Sequence, residues 1–284
     1  MNREQRMIGA IIGDVVGSVY EFRPVDTYDF ELFPQAADFT DDSLMTIAVA
    51  MAIKDYQTLD AQVRSDQHLH GLLVSHMQTI GRRFPYPKGA YGGSFGVWLE
   101  EENPEPYNSW GNGSAMRVCA AAELATSLDE ALYFAKASAE VTHNHPEGIK
   151  GAQAVAAAIY LAQTGKTQQE IAGYIRENFY DLDSTIEQIK PTYGFYESCQ
   201  ETVPQAIQAF LESESFEQAI RNTIWLGGDA DTMGAITGSI AWAYYKHNGG
   251  VDPEMRALSD TALEYLPQDL REYVIAYEAG LVEL

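Results

Sequence analysis

The 284-residue chain has only two cysteines, Cys119 and Cys199, and no Cys-x-x-Cys pair. That excludes a disulfide framework, and a reducing, cytoplasmic setting is expected. Basic residues are also scarce: 18 Lys and Arg stand against 41 Asp and Glu, a formal charge of −23. Binding along a phosphate backbone needs clustered cations, so nucleic acid is excluded as a partner. Long apolar runs are missing. The stretch after the polar start MNREQRM is interrupted by Asp14 and Glu21, so neither a secretory segment nor a membrane span is expected. No segment alternates apolar and polar residues between hairpin turns, which leaves a sheet without support. No Gly-Lys-Ser/Thr phosphate loop and no HExxH zinc helix occur either.

What is present is helical patterning. The spacing predicts helices over Glu4 to Val19, Ser43 to Lys54, Leu59 to Thr79, Ala115 to Thr126, Ser127 to Val141, Glu147 to Thr164 and Thr167 to Asn178. Five more follow over Val203 to Glu212, Ser215 to Leu226, Thr232 to His247, Pro253 to Tyr265 and Pro267 to Glu278. Two long loops, Arg82 to Gly96 and Asn103 to Ser114, are rich in Gly, Pro and aromatics, as functional loops often are. A hydrophobic fraction of 46% is enough for a core, and no linker or repeat divides the chain. The expected architecture is all-α, a compact single-domain orthogonal helical bundle over residues 1–284.

Two acidic motifs carry the chemistry. Thr40-Asp41-Asp42 and Asp229-Ala230-Asp231-Thr232 each open a helix-patterned run. A Thr or Asp before a helix can simply cap it. A cap needs one such residue, however, and clustered carboxylates repel unless a cation joins them. Four carboxylates and two hydroxyls are hard oxygen donors, which suit one or two Mg²⁺ or Mn²⁺ ions and not Zn²⁺. Gly227 and Gly228, just before the second motif, permit close backbone approach to a ligand.

Other segments offer candidates. Glu21, after Gly17, could stand at a cleft rim as a general base or be an ordinary surface glutamate. The turn Gly111-Asn112-Gly113-Ser114 could present N–H groups to an anion or merely cap a helix. His143 and His145 lie in THNHPEG, a spacing that matches no standard zinc site; one of them could bond a phosphate or hydroxyl. Loop aromatics, among them Tyr91, Tyr107, Trp110, Phe195 and Tyr196, suit stacking on a purine or a ribose.

Taken in order, GDVVGSVYEF (13–22), FTDDS (39–43), YGGSF (91–95), WGNGSAMR (110–117), THNHPEG (142–148), TVPQAI (202–207) and GGDADTMGAITG (227–238) resemble the ADP-ribosylglycohydrolase family. The resemblance runs from Gly9 to about Tyr245. It implies an all-α fold with a central binuclear Mg²⁺ or Mn²⁺ cleft. Thr40, Asp41, Asp42, Asp229, Asp231 and Thr232 are the implied metal ligands, and Glu21, Asp41 and Asp231 the implied catalytic groups. Gly111, Asn112, Gly113, Ser114 and His143 would contact the diphosphate and distal ribose, with Tyr91, Gly92 and Gly93 near the same ribose. Ala230 stands where some relatives carry a hydroxyl residue.

The implied reaction is hydrolysis at C1 of the distal ribose, through an oxocarbenium-like state, freeing ADP-ribose from a modified protein. An arginine linkage is favoured by analogy, with serine-linked or O-acetyl-ADP-ribose as alternatives. The rivals are a non-catalytic ADP-ribose-binding protein of the same fold and a two-metal phosphoesterase. The partner is an ADP-ribosylated protein or an ADP-ribose-containing small molecule, with no membrane involved and a monomer expected.

Overall fold

The computed structural model describes residues 7–280. Among them are fifteen α-helices and no strand. They are α1 (Ile8–Gly17), α2 (Asp41–Thr58), α3 (Asp66–Arg83), α4 (Gly93–Glu100), α5 (Gly113–Met116), α6 (Cys119–Glu123), α7 (Leu128–Glu140) and α8 (Pro146–Gln163). The rest are α9 (Gln168–Asn178), α10 (Ile186–Ile189), α11 (Cys199–Leu211), α12 (Phe216–Leu226), α13 (Ala230–Gly249), α14 (Pro253–Tyr265) and α15 (Gln268–Glu278). None of them is long and apolar enough to cross a membrane.

The centre of the fold is α13, whose residues from Ala230 to Ala243 are all buried against α1, α8, α11 and α12. Its closest neighbour is α1, and small residues are the reason. Gly9, Gly13 and Gly17 recur every fourth position on α1 and face Gly238, Gly234 and Ala230 in antiparallel order. A Cβ on Gly13 would fall 1.9 Å from Gly234 O, and one on Gly17 2.2 Å from Ala230 O. The two backbones therefore touch, as only glycine allows. Ala230 is wholly buried at this crossing. The crossing also brings Asp14, the one charged residue of α1, to the start of α13.

Several predicted boundaries move. The first helix covers Ile8–Gly17 instead of running to Val19; Glu4 to Arg6 lie outside the described residues. Helix α2 starts two residues before the predicted Ser43, with Thr40 as its cap. The segment predicted from Leu59 becomes helical only at Asp66, because the Ser65 hydroxyl caps α3 there by accepting from His68 N at 3.3 Å. The Ala115 to Thr126 prediction divides into α5 and α6. Two segments read as loop are partly helical: α4 buries Phe95, Trp98 and Leu99, but eight residues are too few to show a period. Helix α10, four residues long, escaped for the same reason.

Candidate active site

The carboxylates converge where α1, α2 and α13 meet. Thr40 leaves the helical conformation at φ −117° and ψ −167°, and its hydroxyl accepts from Asp42 N at 3.1 Å. This cap turns Asp41 and Asp42 into the first turn of α2. Asp14 secures the turn from below, accepting Thr40 N at 3.0 Å, Thr40 Oγ1 at 2.7 Å, Ser43 N at 3.1 Å and the Ser43 hydroxyl. Four bonds nearly exhaust the acceptor capacity of a carboxylate. Asp14 therefore anchors α2, although its oxygens also lie within 4.8 Å of ligand atoms on Asp42 and Asp231.

On the opposite side, Gly227 and Gly228 take φ values of 86° and 83°, in the left-handed region. The chain then enters α13 with Asp229 at the cap position and Asp231 in the first turn. Asp229 Oδ2 accepts from Asn112 Nδ2 at 2.7 Å. Thr232 Oγ1 reaches across to Asp42 Oδ2 at 3.4 Å. Glu21, Asp229 and Asp231 form a second triad of oxygens within 4.8 Å, adjoining the first through Asp231.

The electrostatics of this cluster are unfavourable on their own. Burial, then the charges of Asp231 and Asp14, hold the Asp41 and Asp42 carboxyls well above the usual range. Asp231 is likewise raised, first by burial and then by Asp229. Burial, with Asp231 and Glu197 beside it, pushes Glu21 up to about 7. Asp229 is raised chiefly by burial, to about 6. Asp42 Oδ1 is buried with no hydrogen-bond partner. An all-oxygen donor set, an orphaned carboxylate oxygen and uncompensated negative charge fit a hard divalent cation.

These groups open into a cleft of about 610 Å³. Of the predicted residues, Glu21, Asp41, Asp42, Tyr91, Gly92, Gly93, Gly111, Asn112, Gly113, His143, Asp229, Asp231 and Thr232 line it. Two do not. Thr40 lies beneath, bonded to Asp14, and Ser114 Oγ donates to Gly148 O at 2.7 Å, tying α5 to α8. The Gly111 turn is less free than its sequence suggests. Gly111 N donates to Ser109 Oγ at 3.1 Å and Asn112 N to Glu197 O at 2.8 Å. His143 lines the cleft beside this turn, while His145 caps α8 by accepting from Glu147 N at 3.1 Å.

Gly92 and Gly93 face open space, since a Cβ on either would meet no atom within 4 Å. Their lack of a side chain serves the cleft and not the packing. A Cβ on Gly89 would lie 3.7 Å from Glu21 Oε2 and 3.8 Å from Asp231 Oδ2, so this loop roofs the carboxylates. The cleft continues past Tyr107, Ser109 and Phe195 into a groove of about 600 Å³ that also exposes Trp110 and Tyr196.

Sequence reasoning missed Asp14, Arg117 and Glu197. A lone aspartate inside a glycine-spaced apolar helix was the available signal for Asp14. Arg117, in the WGNGSAMR segment, is buried in the cleft wall. Nothing local marks Glu197.

Fold and site together define an all-helical protein with a buried, cation-fitting acidic cleft. The sequence profile of the ADP-ribosylglycohydrolase family matches residues 5–279, and the chain belongs to that family of hydrolases. It is 26% identical to ADP-ribosylhydrolase ARH3 of Bos taurus, over 84% of this chain and 83% of that protein. Identity is again 26% to ADP-ribosylarginine hydrolase Tri1 of Pseudomonas putida, over 86% of this chain and 70% of that one. To ADP-ribosyl-[dinitrogen reductase] glycohydrolase of Rhodospirillum rubrum it is 26% identical, over 86% and 84%. A solved ADP-ribosylglycohydrolase-related protein complex shares the fold, with TM-score 0.66 and 22% identity over 98% of this chain and 97% of that one.

Proposed function

We propose that this chain acts as one ADP-ribosylglycohydrolase domain that releases ADP-ribose from modified protein side chains, arginine-linked ones first. The observation that carries this reading is the convergence of both acidic motifs, Glu21 and His143 on a single cleft, with Asp42 Oδ1 left unpaired. Asp41, Asp42, Asp229, Asp231 and Thr232 would hold two Mg²⁺ ions, or Mn²⁺, with Thr40 ordering the first motif from below. Such ions neutralise the carboxylates and supply Lewis acidity to oxygens of the distal ribose.

The chain's own residues would do the rest. Glu21, whose carboxyl is raised chiefly by burial, is suited to exchange a proton with water or with the leaving nitrogen. Gly92 and Gly93, open to the cleft, let the sugar and diphosphate approach backbone N–H groups. The aromatic groove beyond Phe195 takes the purine. Charge supports the arginine linkage: Glu197 on the rim adds to the negative field at Glu21, which favours a guanidinium over a neutral acceptor.

The test is a panel of arginine-linked, serine-linked and O-acetyl-ADP-ribose substrates, each incubated with Mg²⁺ or with EDTA. Intact ADP-ribose released fastest from the arginine linkage, and only with Mg²⁺, is expected. Equal release in EDTA would overturn the metal assignment, a preference for either other linkage the acceptor assignment, and AMP as product the glycosidic reaction itself.

A further inference from the structure

One buried cation in the cleft wall has no part in the chemistry above. Arg117 is 1% exposed; its Nη2 donates to Ser138 O at 3.0 Å and to Thr142 Oγ1 at 2.7 Å. Its guanidinium also lies 5.6 Å from the centre of the Phe95 ring. Thr142 Oγ1 is in turn 2.7 Å from His143 Nδ1. The direction of that last bond decides which ring nitrogen of His143 carries the hydrogen.

Thr142 has one hydroxyl proton and three groups that could take it. Ala139 O is a poor choice at 3.5 Å, because it already accepts the N–H groups of Thr142 at 3.0 Å and His143 at 2.7 Å. Two bonds fill the lone pairs of a carbonyl. The Tyr107 hydroxyl also interacts with Thr142, but it brings a proton of its own and can be the donor. A guanidinium can only donate, so Arg117 always occupies an acceptor site on the Thr142 oxygen. The remaining acceptor is His143 Nδ1, at a short distance. The neutral ring then carries its hydrogen on Nε2. That atom faces the Gly111 turn: a Cβ on Gly113 would fall 3.2 Å from it, and one on Gly111 3.4 Å.

We propose that Arg117 is a positioning residue which, through Thr142, fixes His143 as the neutral tautomer with Nε2–H directed into the cleft. The cleft thereby gains a constant hydrogen-bond donor for an oxygen of the ligand. Only the identity of that ligand, the phosphate–ribose portion of ADP-ribose, rests on the function proposed above. Burial of the ring, and the charge of Arg117 beside it, also oppose a second proton on His143. The donor therefore keeps its form across the neutral range.

The experiment is long-range ¹H–¹⁵N NMR of histidine-labelled, ligand-free full-length protein from about pH 5.5 to about pH 8, across the usual histidine range. Wild type is expected to show His143 with hydrogen on Nε2 only, unchanged over this range. Arg117→Met frees the Thr142 oxygen to accept from Nδ1–H, and Thr142→Val removes the bond. Both should give a mixture of tautomers and weaken ADP-ribose binding about tenfold, a size typical of one lost hydrogen bond to a charged group. Thr142→Ser should restore both readouts, and Tyr107→Phe should leave the tautomer unchanged. Hydrogen on Nδ1 in wild type, a ring that titrates within this range, or an unaltered tautomer in Arg117→Met and Thr142→Val would overturn the proposal. So would a tautomer that follows Tyr107. An Nε2–H tautomer as described, in a protein that does not bind ADP-ribose, would leave this proposal standing and refute the function instead.

Discussion

A cluster of buried carboxylates should make the metal-free protein less stable as pH rises, and Asp229 sets the scale. Its carboxyl is lifted from 3.8 to about 6, chiefly by burial, with Glu21 and Glu197 adding to the effect of burial. A folded-state value above the unfolded one means the native state keeps a proton that the unfolded chain has lost. Below 3.8 both states are protonated and nothing is gained or lost. Between there and about 6 the unfolded state is progressively favoured, and above that range the full cost applies. An elevation of about two pH units, at roughly 1.4 kcal/mol each, costs about 3 kcal/mol. Asp41, Asp42 and Asp231, raised further, extend the loss to higher pH. For a chain of this size about 3 kcal/mol corresponds to a Tm change of about 6 °C.

Binding a divalent cation requires the ionised carboxylates, so it should cancel the loss. The assay is thermal unfolding by circular dichroism from pH 4.5 to pH 8, in Mg²⁺ and in EDTA. Subtracting one series from the other removes the contribution of every distant group. The difference in Tm should be small at the acid end and exceed about 6 °C at the alkaline end. Asp229→Asn should make the EDTA series less steep between about pH 4.5 and pH 6 and leave the loss at higher pH, which Asp41, Asp42 and Asp231 cause. A difference that stays constant with pH, or no Mg²⁺ effect at all, would refute the reasoning.

Three other outcomes follow from the same geometry. Gly13→Ala gains about 1 kcal/mol of helix propensity, but its Cβ would fall 1.9 Å from Gly234 O, and overpacking costs more than it gains. Tm should fall by several degrees and activity with it, since Asp14 shifts under α2; an unchanged Tm would show that the α1–α13 contact can yield. Glu21→Gln should lower kcat about 10²- to 10⁴-fold and change ADP-ribose affinity by only a few fold, as removal of a proton-transfer group does. An equal loss in both by kinetics and calorimetry would make Glu21 a binding residue. Asp231→Asn, which removes the carboxylate shared by both oxygen triads, should abolish turnover yet raise Tm in EDTA by relieving repulsion. Retained turnover would remove it from the site.

Much of this protein can be read from its sequence, because the relevant signals are local. The 3.6-residue period shows the long helices, and Thr40, Ser127 and Thr167 start theirs with side-chain caps. Capping and coordination ask for the same oxygen-bearing residues at the same place. The two acidic motifs were therefore visible as candidates, and the resemblance put Glu21 and His143 beside them. Helices α4 and α10, too short to show a period, were not visible, and neither was the break between α5 and α6.

Tertiary structure alone decided three further matters. It turned Asp14 from a break in an apolar run into the anchor of α2, which required α1 to meet α13 backbone to backbone through Gly13 and Gly234. It placed Thr40 beneath the cleft and Ser114 behind it, since each hydroxyl found a nearer partner in Asp14 and Gly148. It also brought Arg117, in the turn after α5, into one hydrogen-bonded line with Thr142 and His143, in the turn after α7. Such contacts depend on which faces of distant helices meet, and local periodicity carries no record of them.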